Sequence, residues 1–173
     1  MKGVIVNCLG ELVKEKFGKE KWEDVLTRTG MDSKTHILAV RDIDDAVVMK
    51  LLKSVCDVLD ISMIQAADAF GDYWVNDYAP KIYKTYYKDV DSAKDFLLKM
   101  DDVHSVVSGD LADAKPPRFG YDWEDDKTLI MTYMSERSLI DIMVGLIKGV
   151  GRYFDEDLVI TKLGNEKVRI TFP

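Results

Sequence analysis

Apolar residues recur at helical spacing through the first two-thirds of the chain and at strand spacing through much of the last third. In VIVNCLGELVKEKFG they fall at Ile5, Leu9, Leu12, Val13 and Phe17, which predicts a helix that stops at Gly18. KEKWEDVLTRTG predicts a second, short helix ending at Gly30. DIDDAVVMKLLKSVCDVLD opens on acids, which suit a helix N-terminus. It then repeats apolar pairs at Val47/Val48, Leu51/Leu52, Val55/Cys56 and Val58/Leu59. SMIQAADAFGDYWVNDYAP predicts a helix around Ile64 to Tyr78, with Gly71 inside it and Pro80 closing it. DSAKDFLLKMDDVHSVVSG predicts one amphipathic helix from about Asp91 to Ser108.

The pattern then changes. DAKPPRFG is a break, because two successive prolines cannot continue a helix. RFGYDWEDDKTLIMTYMS reads as a hairpin with the acidic EDDK at its turn, and DLVITKLGNEKVRITFP as a second hairpin about GNEK. Between them, SLIDIMVGLIKGVGRYF is apolar nearly all round, the mark of a buried helix. The fold class is α+β: a helical N-terminal lobe and a C-terminal lobe with a small antiparallel sheet and a crossing helix.

Composition narrows the function classes. The 173 residues suit one domain, and 47% apolar with 32% charged residues is a globular balance. A net charge of −7 argues against a nucleic-acid partner and against membrane contact, since both need a positive face. The start is broken by charges too early for a signal peptide, which points to a cytoplasmic protein. Cys8 and Cys56 form no metal-binding spacing and read as small core residues. No nucleophile–base set, P-loop or dinucleotide motif is present, so a binding role is expected and not catalysis.

Of two histidines, His36 sits beside a loop and reads as a surface or capping residue. His104 falls within an apolar helical stripe with Leu97, Met100 and Val107. A hydrogen-bonded core histidine and a metal ligand are both open there, including the single axial ligand of a haem. In YMSERS an extended chain would point Tyr133, Ser135 and Arg137 the same way, continuing the face of Leu129 and Met131. That face is either a core strand with a surface arginine or a wall for a flat apolar ligand with carboxylates at one edge. Arginine forks onto carboxylate, and hydroxyls donate to the remaining lone pairs.

YMSER resembles the Tyr-x-Ser-x-Arg signature of the H-NOX (haem-nitric oxide/oxygen binding) family, also found at the sensor end of soluble guanylate cyclase. MKGVIVN, DIDD, AFGDYWV, DDVH, PPR and GLIKG follow in the family's order, so the resemblance covers essentially the whole chain. It implies one domain over residues 1–173, with a helical lobe at about 1–65, a haem-ligand and sheet lobe at about 66–173, and haem b (iron protoporphyrin IX) between them. It also implies His104 as the proximal iron ligand, Tyr133, Ser135 and Arg137 as a propionate clamp, and Pro117 pressing on the macrocycle. Ile5, Leu9, Trp74, Tyr78, Ile142 and Leu146 would form the distal wall, Asp45 would pair with Arg137, and Gly71 and Gly145 would be hinge glycines.

Members that hold oxygen carry a tyrosine where this chain has Ile142. An apolar wall there implies nitric oxide, and carbon monoxide, as ligands in preference to oxygen. Oxygen binding through Trp74 or Tyr78 is the alternative, and a haem-free interaction domain for another carboxylate-bearing ligand is the blandest reading. The family's outputs imply a histidine kinase, a cyclic-di-GMP enzyme or a chemotaxis receptor as partner. The tail LGNEKVRITFP lacks the cysteines and histidine of the zinc site some members carry. The chain would be a small stand-alone protein or the sensor module of a longer receptor.

Overall fold

The structure is a computed structural model that describes residues 1–32, 37–109 and 115–173. His36 lies outside the described residues. The chain divides into two compact units, Met1–Ala66 and Ala67–Pro173. Among the described residues no helix is long and apolar enough to cross a membrane.

The first unit is built from α1 (Gly3–Phe17), α2 (Lys19–Thr29) and α3 (Asp45–Leu59). Gly18 ends α1 at φ 97°, and Gly30 ends α2 at φ 77°, where its N–H closes on the Leu26 and Thr27 carbonyls. Both angles favour glycine because a Cβ would clash with the backbone there. Asp44 caps α3, accepting the Ala46 N–H at 2.7 Å, so the acids ahead of this helix act at its N-terminus as expected. Leu9, Leu12, Val13, Val25, Leu26, Leu51 and Val55 form the buried stripe, with Cys8 fully buried among them. Cys56 is half-buried, and neither it nor Cys8 is in a disulfide.

The second unit takes in most of α4 (Met63–Tyr73), a five-residue π-helical turn (Trp74–Tyr78), α5 (Ala79–Ile82) and a 3₁₀ turn (Lys84–Tyr87). There follow α6 (Ala93–Leu98), α7 (Met100–Gly109), β1 (Arg118–Trp123), β2 (Thr128–Met134), α8 (Ile140–Tyr153), β3 (Val159–Leu163) and β4 (Lys167–Thr171). The strands form one antiparallel sheet in the order β1-β2-β4-β3. Leu129, Met131, Val168 and Ile170 of the sheet, Met143, Ile147 and Val150 of α8, and Phe96 and Leu97 of α6 share one buried cluster. An α+β architecture with a small sheet is therefore what the chain adopts.

Three local departures from the periodicity reading have identifiable causes. The predicted helix from Asp91 to Ser108 is two helices that meet at Lys99. At this break the Tyr121 hydroxyl, reaching over from β1, donates to the Leu97 carbonyl at 2.9 Å and accepts the Asp101 N–H at 3.2 Å. Those two groups are four residues apart and would otherwise bond each other, so the hydroxyl is inserted into the helix ladder. Pro80 does not close a helix; it lies inside α5, behind the π turn. The predicted extension of β2 to Arg137 also fails. The strand ends at Met134, Ser135 Oγ accepts the Arg137 N–H at 3.3 Å, and Ser138 takes φ 52° as the chain turns into α8.

Gly71 and Gly145, the expected hinge glycines, both lie in the second unit at a close backbone approach. A Cβ on Gly71 would lie 2.1 Å from the Gly145 carbonyl carbon, and one on Gly145 would lie 2.1 Å from the Ala67 carbonyl oxygen. The backbones of α4 and α8 touch directly at this crossing. Lys148 clamps it through Asp68 at 2.8 Å.

Candidate functional site

His104 lies on α7, whose N-terminal end is held by a dense set of contacts to β1. Asp101 accepts both the Arg118 Nε at 2.8 Å and the Arg118 Nη2 at 2.5 Å, and also the Phe119 backbone N–H at 2.8 Å. The Arg118 hydrogen bonds, then the Phe119 N–H, hold the Asp101 carboxyl well below the usual range, at about 2. Burial and the Asp101 charge push the Tyr121 hydroxyl up to about 12, with the Asp101 backbone N–H opposing them. It therefore stays protonated to act at the break.

One turn on from Asp101, the His104 ring faces Phe119 with centroids 5.2 Å apart. Phe119 pairs directly with Tyr133 across β1 and β2, and their rings lie 6.2 Å apart. The three rings make a continuous aromatic wall. Burial lowers the His104 pKa, with the Asp101 charge opposing it, so the neutral imidazole is favoured. Its Nδ1 is buried and has no hydrogen-bond partner among the described residues. Leaving a buried polar atom unpaired costs about 1–3 kcal/mol. The imidazole thus retains binding capacity that the described protein groups do not use.

The three signature residues do not line one strand face. Tyr133 is buried at the end of β2, and its N–H donates to the Glu166 carbonyl at 2.6 Å. Ser135 and Arg137 sit in the turn that follows, where the Arg137 guanidinium donates to the Lys115 carbonyl. Ser135 Oγ accepts from the backbone and keeps its own hydrogen to donate. Pro117 is half-buried just before β1.

The other predicted residues fall elsewhere. Phe70, Trp74 and Tyr78 stack in series along α4 and the π turn, at 5.9 Å and 5.6 Å. Trp74 and Leu146 pack against the same buried cluster that contains Tyr133. Ile142 is half-buried on α8, one turn from Leu146. Ile5 and Leu9 are on α1, in the first unit. In that unit Asp45 accepts the N-terminal ammonium at 2.6 Å.

Sequence reasoning missed Phe119, Asp101 and Tyr121. Asp101 lies three residues before His104 and so on the same helix face, a signal that was available. Tyr121 was invisible, because its role depends on a ladder gap 20 or more residues away in sequence.

The sequence matches the family described as HNOB, Haem-NO-binding, over residues 2–162. Soluble guanylate cyclase gcy-35 of Caenorhabditis elegans is 24% identical over 174 residues, covering 96% of this chain and 25% of that protein. Soluble guanylate cyclase gcy-32 of the same organism is 26% identical over 170 residues, covering 95% and 25%. The chain thus spans about a quarter of the length of the curated relatives it matches. Among solved structures, a Cs H-NOX variant carrying 4-cyano-L-phenylalanine superposes with a TM-score of 0.88 at 23% identity, over 99% of this chain and 96% of that one. An oxygen-binding H-NOX domain related to soluble guanylate cyclases, in its oxygen complex, gives 0.84 at 24% identity, over 99% and 95%. These likenesses agree with the fold described above. The chain belongs to the haem-NO-binding (H-NOX) family and is a haem-binding sensor domain related to soluble guanylate cyclase.

Proposed function

We propose that this domain senses nitric oxide at a ferrous haem held by His104, and passes the event to a partner protein or a fused output domain by moving α7. The observation that carries the reading is the buried, unpartnered Nδ1 of His104 on a wall of aromatic rings. A neutral imidazole with unused capacity, set among flat apolar groups, suits a residue that would hold haem iron. Tyr133, Ser135 and Arg137, at the end of β2 and in the next turn, offer two hydroxyls and a guanidinium to the propionates. Pro117 would pack against the macrocycle.

Haem, when bound, would supply a coordination position for a diatomic gas, and His104 would be the residue that holds it. The helix that carries His104 is anchored at one end by Asp101, Arg118 and Tyr121, so a displacement of the imidazole would be taken up by the part of α7 beyond that anchor. Ile142 offers no donor to a bound gas, which favours nitric oxide and carbon monoxide over oxygen. A second reading, oxygen binding, is supported by the placement of Trp74 and Tyr78, both bearing polar hydrogens, in one stacked series.

The test is the absorption spectrum of the reduced protein, taken anaerobically, then with nitric oxide, then in air. Conversion to a five-coordinate nitrosyl spectrum with no stable oxy species supports the proposal. A stable oxy spectrum moves the assignment to oxygen. Absence of a Soret band after haem is supplied overturns both readings. In His104→Gly, restored with imidazole, nitric oxide is expected to bind without driving the conformational change.

A further inference from the structure

The π turn at Trp74–Tyr78 raises a hydrogen-bonding problem that one distant side chain solves. In this turn each N–H reaches back five residues, and the Ala79 N–H bonds the Trp74 carbonyl. The next carbonyl, that of Val75, should receive the N–H of residue 80, which is Pro80 and has none. Val75 is buried, so an unfilled carbonyl there is costly. The Tyr87 hydroxyl, at the end of the 3₁₀ turn, donates to it at 3.1 Å. Tyr87 is held in place by Phe96 and Tyr153, with ring centroids at 4.9 Å and 5.1 Å. Burial, then the neighbouring Tyr153, pushes its hydroxyl pKa up, which keeps the donor protonated.

The competing register is blocked from the other side. In an α-helix the same proline would leave the Asn76 carbonyl unfilled, and its ring would press on that carbonyl. Pro80 therefore disfavours the α register, and Tyr87 completes the π register. Asn76 adds a brace, its Nδ2 donating to the Asp72 carbonyl at 3.1 Å and to the Gly149 carbonyl at 3.2 Å. A one-residue change of register turns everything on one side of it by ~100° about the helix axis. The residues so aimed include Trp74 and Tyr78.

We propose that Tyr87 is a positioning residue for the gas-binding wall: its bond to the Val75 carbonyl fixes the π register in which Trp74 and Tyr78 are presented, and so tunes discrimination among diatomic ligands. This rests on the assignment of Trp74 and Tyr78 to that wall. The test uses Tyr87→Phe in the full chain, which keeps the ring and removes only the hydroxyl. Tyr153→Phe is the control, since it alters a ring neighbour without touching Val75.

Two readouts are needed. The first is the infrared stretch of carbon monoxide on the ferrous haem protein, with its dissociation rate. The second is the ¹⁹F spectrum of protein labelled with fluorotryptophan, with Trp74 assigned by substitution. In Tyr87→Phe the carbon monoxide band is expected to shift and broaden, and the dissociation rate to change roughly 2- to 10-fold. The Trp74 resonance alone should move, while Trp22 and Trp123 stay, and Tyr153→Phe should match the wild type. Haem-loaded Tyr87→Phe with an unchanged carbon monoxide band and an unchanged Trp74 resonance overturns the proposal. A moved Trp74 resonance with an unchanged band overturns the link to the ligand. If the wild-type protein takes up no haem, the sensing assignment fails separately; a fixed Trp74 resonance then removes the register lock too, and a displaced one upholds the lock alone.

Discussion

The helix that carries His104 and the turn that carries Trp74 and Tyr78 belong to the same unit, yet they treat their polar groups in opposite ways. On the π turn, an irregular backbone with a proline behind it finds a donor for its buried Val75 carbonyl in a tyrosine twelve residues along the chain. On α7, a regular helix holds an imidazole nitrogen that is buried and unpartnered among the described residues. Folding satisfied the difficult case and left the easy one open. The difference separates two kinds of construction: a segment whose geometry is completed by the protein itself, and a residue whose polar capacity the described protein groups leave open.

The largest effect is expected where the π turn meets its foundation. Gly71→Ala would drive a methyl group into the Gly145 backbone, and should cost about 3 kcal/mol in urea unfolding. Hydrogen exchange should rise along α4 and α8 while α7 is spared. Equal loosening of α7 would mean that the two regions are not separable.

A pair of opposite signs tests the comparison more directly. In haem-free protein, His104→Leu removes an unpaired polar atom and should stabilise the fold by about 1–3 kcal/mol, whereas Tyr87→Phe creates one at Val75 and should destabilise it by a similar amount. Urea unfolding of both variants decides this, and two changes of the same sign would break the contrast.

The smallest effect concerns the anchor of α7. The Asp101 carboxyl sits at about 2 in the folded protein, against roughly 3.9 in an unfolded chain. Its pKa is depressed on folding, so its contribution is present above about pH 4 and is lost as the pH falls toward 2. The stability gap between wild type and Asp101→Asn should narrow across that window. A gap that stays constant down to pH 2 would show that shape, and not charge, makes this anchor.

Much of the fold could be read from spacing alone. Periodicities of 3.6 and 2 placed the helices and the two hairpins, and Gly18 and Gly30 marked two helix ends, because those signals are local. What could not be read were one-residue events: the break at Lys99, the π turn before Pro80, and the turn at Ser135. Each shifts the register by less than one turn, too little for an apolar pattern to record. At the first two a tyrosine hydroxyl from another element bonds the backbone. His104 stood out because it is a polar residue in an apolar stripe. Phe119 was missed because an aromatic residue in a strand raises no question until its ring is seen against an imidazole.

The crossing of α4 and α8 has a mechanical meaning of its own. Side chains between two helices act as bearings: they change rotamer and let one axis slide or roll on the other. Gly71, Gly145 and Gly149 leave no such bearing, since main chain rests on main chain. A push on either helix at this joint reaches the other without slack, like a key seated in its slot.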